Sequence, residues 1–196
     1  MFYPFELKSA PPVDLSRNQF PTSVATWDHD RPLKLPADGT HFGFIHQGET
    51  TMSTGCGTFP LASGMYFAAP GAAQLRGGSG LVITAQQYRG FFHIGGPIEA
   101  TGRLRYIDGC TDSLLIPPVT LGDPCLNLLH IPPGTHQSEH THPSVRVGLI
   151  VGGFGECVTP GGRFPLQPGL AFVIPEETLH SFHTSTDSLL VIAYHP

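Results

Sequence analysis

Two stretches of the chain repeat each other. GFIHQGETTMSTGCGTFPLASGMYFAAP at residues 43–70 lies over GLIVGGFGECVTPGGRFPLQPGLAFVIP at 148–175, without gaps and at a constant offset of 105. Gly43/Gly148, Ile45/Ile150, Gly48/Gly153, Thr54/Thr159, Gly57/Gly162, Phe59/Phe164, Pro60/Pro165, Leu61/Leu166, Gly64/Gly169, Phe67/Phe172 and Pro70/Pro175 coincide. That is 11 identities in 28 positions, where chance supplies roughly two. A chain of 196 residues written this way is restricted to two small domains of one fold. The duplication divides it into a copy at 1–95 and a copy at 96–196, with IGGPIEATGRLRYIDG (94–109) as the crossing.

The repeated unit reads as β structure. Short apolar runs, LVITA at 81–85, VGLIV at 147–151, LAFVI at 170–174 and LLVIA at 189–193, are separated by turn residues. The 24 glycines and 20 prolines are scattered along the chain and interrupt almost every helical window. An all-β sandwich or barrel is expected. Gly48 and Gly153 end an apolar strand, and Gly64 and Gly169 precede the next one, so turns with positive φ are predicted at all four.

Charge and composition exclude several classes of partner. The net charge is −5 and no basic stripe exists, which argues against nucleic acid and anionic membranes. No apolar run approaches the ~20 residues that span a bilayer. The N-terminus lacks the basic and apolar regions of a secretory signal. The four cysteines, Cys56, Cys110, Cys125 and Cys157, form no C-x-x-C pair, so free thiols in a reducing cytoplasm are expected. There is no G-x-x-x-x-G-K-[ST], no G-x-S-x-G and no H-E-x-x-H.

Chemistry gathers in the second copy. GTHQSEHTHPSVRVGLIVGG (134–153) holds His140, His142 and Arg146, and GLAFVIPEETLH (169–180) ends on His180. The first stretch resembles cupin motif 1, G-(x)5-H-x-H-(x)3–4-E-(x)6-G, in every spacing. The second resembles motif 2, G-(x)5-P-x-G-(x)2-H-(x)3-N, with Gly169, Pro175 and His180 in place. The resemblance to the cupin superfamily implies two tandem double-stranded β-helix (jelly-roll) barrels, a bicupin. Two strand residues apart, His140 and His142 share a face. With His180 from a neighbouring strand they make a three-imidazole set suited to one divalent transition metal, Fe(II) first, with Zn, Mn or Ni as alternatives.

Two departures from the motifs matter. Arg146 stands where the cupin glutamate ligand is placed, and its parity turns it to the same face as His140 and His142. A guanidinium cannot ligate. The centre is therefore a three-histidine one or has lost its metal, with Arg146 a clamp for a substrate anion or a structural ion-pair partner. In motif 2, Glu177 replaces glycine and Thr184 replaces asparagine; Glu177 can supply a carboxylate only if its loop curls inward. Glu139 points outward by parity, His136 shares the inward parity ahead of the strand, and His183 is read as structural. In the first copy the offset places Leu35, Ala37 and Leu75 opposite His140, His142 and His180, and His41 opposite Arg146. No metal site is expected there, the register before residue 43 being the less secure part.

The pattern predicts a mononuclear non-haem metal-dependent oxidoreductase, dioxygenase-like, acting on a small anionic or enolisable substrate. A lyase, isomerase or cyclase using the metal as a Lewis acid, and a non-catalytic small-molecule-binding module, are the alternatives. The partners expected are a small molecule and, within an oligomer, a second copy in a homodimer.

Overall fold

The computed structural model describes residues 2–8 and 13–196. The described residues are all-β apart from one short 3-10 turn at Ile107–Gly109, and no helix among them is long and apolar enough to cross a membrane. The chain forms two compact units, Leu7–Ile98 on one hand and residues 2–6 with Glu99–Pro196 on the other.

In the unit Leu7–Ile98, a six-stranded sheet and a four-stranded sheet enclose the core. The strand Thr40–Gln47 lies at the centre of the larger sheet, between Tyr66–Pro70 and Ser79–Ala85. Its apolar interior is built from Trp27, Ile45, Met52, Phe67, Leu75 and Val82. The Trp27 indole N–H donates to the carbonyl of Gly77 at 3.0 Å, so the one large polar edge in this core is satisfied.

The other unit has a seven-stranded and a three-stranded sheet. Arg146–Gly153 pairs with Leu170–Ile174 and with Leu189–His195, and the latter pairs with Cys125–Ile131. The strand Tyr3–Glu6, which the duplication assigns to the first copy, pairs antiparallel with Leu170–Ile174. Phe2 packs its ring on Phe164 and Phe172 at centroid distances of 5.0 and 5.2 Å. The N-terminal strand thus covers an edge that would otherwise offer unpaired backbone groups. The boundary accordingly falls at 98/99, not 95/96, and residues 2–6 belong with the C-terminal copy.

The repeat is visible in the register. Within the first unit His41 faces Ala69 and Gly43 faces Phe67; within the second Arg146 faces Ile174 and Gly148 faces Phe172. The matched residues do matched work. The four predicted turn glycines have φ of +77°, +72°, +83° and +89° at Gly48, Gly153, Gly64 and Gly169. Thr54 and Thr159 each close a tight turn by hydrogen bonding to the carbonyls of Gly57 and Gly162, at 3.4 and 3.3 Å. Gly43 and Gly148 are required for a different reason, since neither has positive φ. A Cβ on either would lie 2.1 Å from the ring of Phe67 or Phe172, so glycine lets the ring lie flat against the strand.

Gly148→Ala is expected to destabilise the second unit. The methyl group has to displace Phe172, which also lines the cavity beside the histidines. Overpacking of this kind costs about 1–3 kcal/mol, and a clear fall in the urea unfolding midpoint is expected; an unchanged midpoint would show that the ring can step aside freely.

Candidate metal centre

The chain between Gly134 and Arg146 runs back along Ser181–His183 and its approach. His140 and His180 exchange two backbone hydrogen bonds, each of 3.0 Å, which sets their side chains beside one another. His142 follows two residues on. The ring centroids lie 5.0 Å (His140–His142), 4.6 Å (His140–His180) and 5.2 Å (His142–His180) apart. One ligand nitrogen from each ring lies within 4.8 Å of the others, so the three donors gather at one point of the cavity wall. No other group of three histidines, cysteines or carboxylates with this closeness exists among the described residues.

The tautomers suit a metal. Nδ1 of His140 sits 2.8 Å from the carbonyl of Ser138, and Nδ1 of His180 lies 2.8 Å from that of Thr178. A carbonyl only accepts, so each Nδ1 carries the proton and each Nε2 keeps its lone pair. Burial pushes the His180 imidazole down to about 4 and that of His142 down to about 3, with Arg146 adding to both. His195, whose ring lies 6.5 Å from His142, is driven down to about 3 by burial and Arg146. Neutral imidazole is the ligating form, so the donor set fits a divalent transition metal.

Arg146 reaches the same cavity. One terminal nitrogen, Nη1, donates to the carbonyls of Ser144 and Val145 at 3.1 Å and to the Ser144 hydroxyl at 2.6 Å. Its Nε is buried without a partner, and no described carboxylate lies within ion-pair distance of it. The reading of Arg146 as a structural ion-pair partner therefore fails: the guanidinium is held by neutral oxygens.

The two motif departures in the loop before His180 have structural roles. Glu177 has φ of +55°, which explains why the motif carries glycine at this position. Its carboxylate accepts from the Thr141 hydroxyl at 3.1 Å and its N–H donates to the carbonyl of His142 at 2.8 Å. Glu177 thus braces the histidine loop and supplies no ligand to the triad. Thr184, in the asparagine position, accepts from the N–H of Thr135 at 3.0 Å and donates to the carbonyl of Pro132, tying the two segments together. His136 pairs with His183, Nδ1 to Nδ1 at 3.2 Å, away from the triad.

In the first unit the registers reveal a two-residue slip. Leu33 faces Leu75 there, whereas His140 faces His180 in the second unit. Leu33 and Leu35, and not Leu35 and Ala37, therefore occupy the places of His140 and His142. The trio Leu33, Leu35 and Leu75 joins the apolar core and has no donor atom. His41, opposite Arg146, is fully buried, bonded to the Thr84 hydroxyl at 2.8 Å and the Pro36 carbonyl at 3.0 Å.

The cavity next to the triad measures about 60 Å³, room for about four waters or a ligand of a few heavy atoms. Its wall includes Asp112, Asn127, Gln137 and His195, of which only Gln137 lies within the motif stretches. A signal existed for Asn127, an amide inside the apolar run CLNLLHI, and for His195, which continues the inward alternation of Val191 and Ala193.

The comparisons with known proteins agree with this architecture. Residues 127–194 match the cupin domain family model. Over 97% of this chain and 94% of its own, a cupin 2 conserved barrel domain protein from Leptotrichia buccalis superposes with a TM-score of 0.69 at 12% identity. Salicylate 1,2-dioxygenase from Pseudoaminobacter salicylatoxidans, solved as adducts with gentisate, gives 0.68 at 10% identity, covering 99% of this chain and 80% of that one. A protein of unknown function from Pseudomonas syringae pv. tomato gives 0.66 at 12% identity, covering 98% of each chain. No curated protein sequence matches significantly. With the strand order, the motif residues and these likenesses in agreement, residues 127–194 form a cupin domain and the chain has the fold of cupin-barrel proteins.

Proposed function

We propose that the protein is a mononuclear non-haem metal-dependent oxidoreductase of the dioxygenase kind, acting on a small anionic substrate. His140, His142 and His180 hold the metal, Fe(II) before Zn, Mn or Ni. When bound, Fe(II) supplies oxygen activation and Lewis acidity at a position that three protein ligands leave partly open.

The observation that carries the reading is the cavity's charge. A half-buried guanidinium, its Nε enclosed and without a counter-ion, stands beside the three clustered imidazoles. Burying a charge in that way is costly unless an opposite charge arrives. An incoming carboxylate or enolate provides it, and Arg146 orients that group while the apolar walls, Phe172, Ile174 and Val191, exclude water. The fold likeness to salicylate 1,2-dioxygenase, an enzyme crystallised with gentisate, is compatible with this class. The four free cysteines suit a reducing cytoplasm.

Oxygen uptake tests the reading. Protein loaded with Fe(II) is expected to consume oxygen with at least one small hydroxy acid or keto acid. Turnover that is indifferent to anaerobiosis moves the assignment to a Lewis-acid lyase or isomerase; ligand binding without turnover moves it to a binding module.

A further inference from the structure

Beside the triad, the cavity has a second polar wall. Asp112 lies on the strand Thr111–Ile116 and Asn127 on Cys125–Ile131, next to each other in the sheet. The Asn127 side-chain amide N–H donates to Oδ2 of Asp112 at 2.8 Å. That bond leaves both remaining oxygens, Oδ1 of Asp112 and Oδ1 of Asn127, buried without a donor. Asn127 is only 6% exposed, and both residues line the cavity.

Buried acceptors left without a donor are rare, because each forfeits the hydrogen bonds it makes in water. Here two occur together, on adjacent strands and facing the same space. Neither oxygen is served by Arg146, whose Nη1 is engaged with Ser144 and Val145. Tyr106 lines the same cavity, and its phenol feels Asp112 and Arg146 with opposite signs. The cavity therefore has an acceptor end at Asp112 and Asn127 and a donor end at Arg146. Burial also holds the Asp112 carboxyl above the ordinary carboxylate range, outweighing the Asn127 amide and the Ser113 N–H, which favour its charged form.

We propose that Asp112 and Asn127 form a specificity subsite for a hydrogen-bond donor of the substrate, so that the ligand carries a hydroxyl or ammonium group in addition to its anionic group. This deepens the proposed function and rests on it for the anionic half. A ligand of that class matches both ends of the cavity at once; a bare carboxylate leaves the two acceptors unserved. Sites built to accept from a substrate hydroxyl or amine discriminate strongly against analogues that lack it, since the orphaned protein groups penalise the wrong ligand.

The test is calorimetric titration of metal-reconstituted full-length protein with lactate, alanine and propionate, which share a carboxylate and differ in the donor. Lactate or alanine is expected to bind about tenfold or more tightly than propionate, and whichever wins identifies the donor as hydroxyl or ammonium. In Asp112→Leu/Asn127→Leu the preference is expected to vanish while propionate binding is kept or improved. Asp112→Asn, which keeps the shape, is expected to retain the fold and lose most of the preference. Equal binding of all three probes, no binding of any, or a preference that survives both variants overturns the proposal. Metal content measured on the same samples separates the two ideas. A wild-type protein without metal that still prefers the donor-bearing acid sinks the oxidoreductase reading and leaves the subsite standing; a metal-loaded protein without the preference does the reverse.

Discussion

Protein carrying His140→Ala together with His180→Ala is expected to lose stoichiometric metal. Elemental analysis of the untagged wild type, reconstituted with Fe(II), is expected to give close to one equivalent, and the double variant a background level. The two residues are the ones whose tautomers are set by carbonyls, Ser138 for His140 and Thr178 for His180. Removing both leaves His142 as the single imidazole of the triad, too few to hold a divalent ion against water and buffer. The fold is expected to survive. His140 is partly exposed, and its backbone bridge to His180 does not depend on either side chain. His180 is buried, so the variant leaves a cavity, and circular dichroism with a urea midpoint controls for it. Metal retained in the folded double variant would remove these histidines from the centre.

Arg146→Met separates substrate binding from metal binding. Methionine keeps much of the length and apolar stem of the side chain and removes the charge together with the N–H donors, including those to Ser144 and Val145. Charge-assisted hydrogen bonds from a guanidinium contribute about 1.5–3 kcal/mol, so kcat/KM for an anionic substrate is expected to fall by about 10- to 150-fold. Metal affinity is expected to be kept or to rise, because Arg146 acts against positive charge at His142 and His180, as their lowered pKa values record. A ligand-placing role would give the opposite pattern, with metal and activity lost together. If neither changes, Arg146 is a bystander to the chemistry and its unpaired Nε is served by solvent.

The site residues legible in the amino-acid sequence are those whose relations are local along a strand. Period-two alternation puts His140 and His142 on one face without knowledge of the neighbouring strands. Motif spacing brings His180 to them, and the 105-residue offset exposes the duplication, since the turn threonines, turn glycines and ring-seating glycines recur in both copies. The turn chemistry at Thr54 and Thr159 needs only three neighbouring residues to operate.

What tertiary structure alone decided depends on which strands adjoin. Parity assigns a face and says nothing about the partner across the sheet, because pairing is fixed by long-range burial and edge protection. Hence Tyr3–Glu6 joined the edge of Leu170–Ile174, far along the chain. The two-residue slip that sets Leu33 against Leu75 lies in a connection of different length, where no repeat constrains the register. Asp112, Asn127 and His195 come from strands outside both motifs and meet Arg146 only around the cavity. Which copy would carry histidines was written in the sequence; the polar wall those histidines face was assembled by folding.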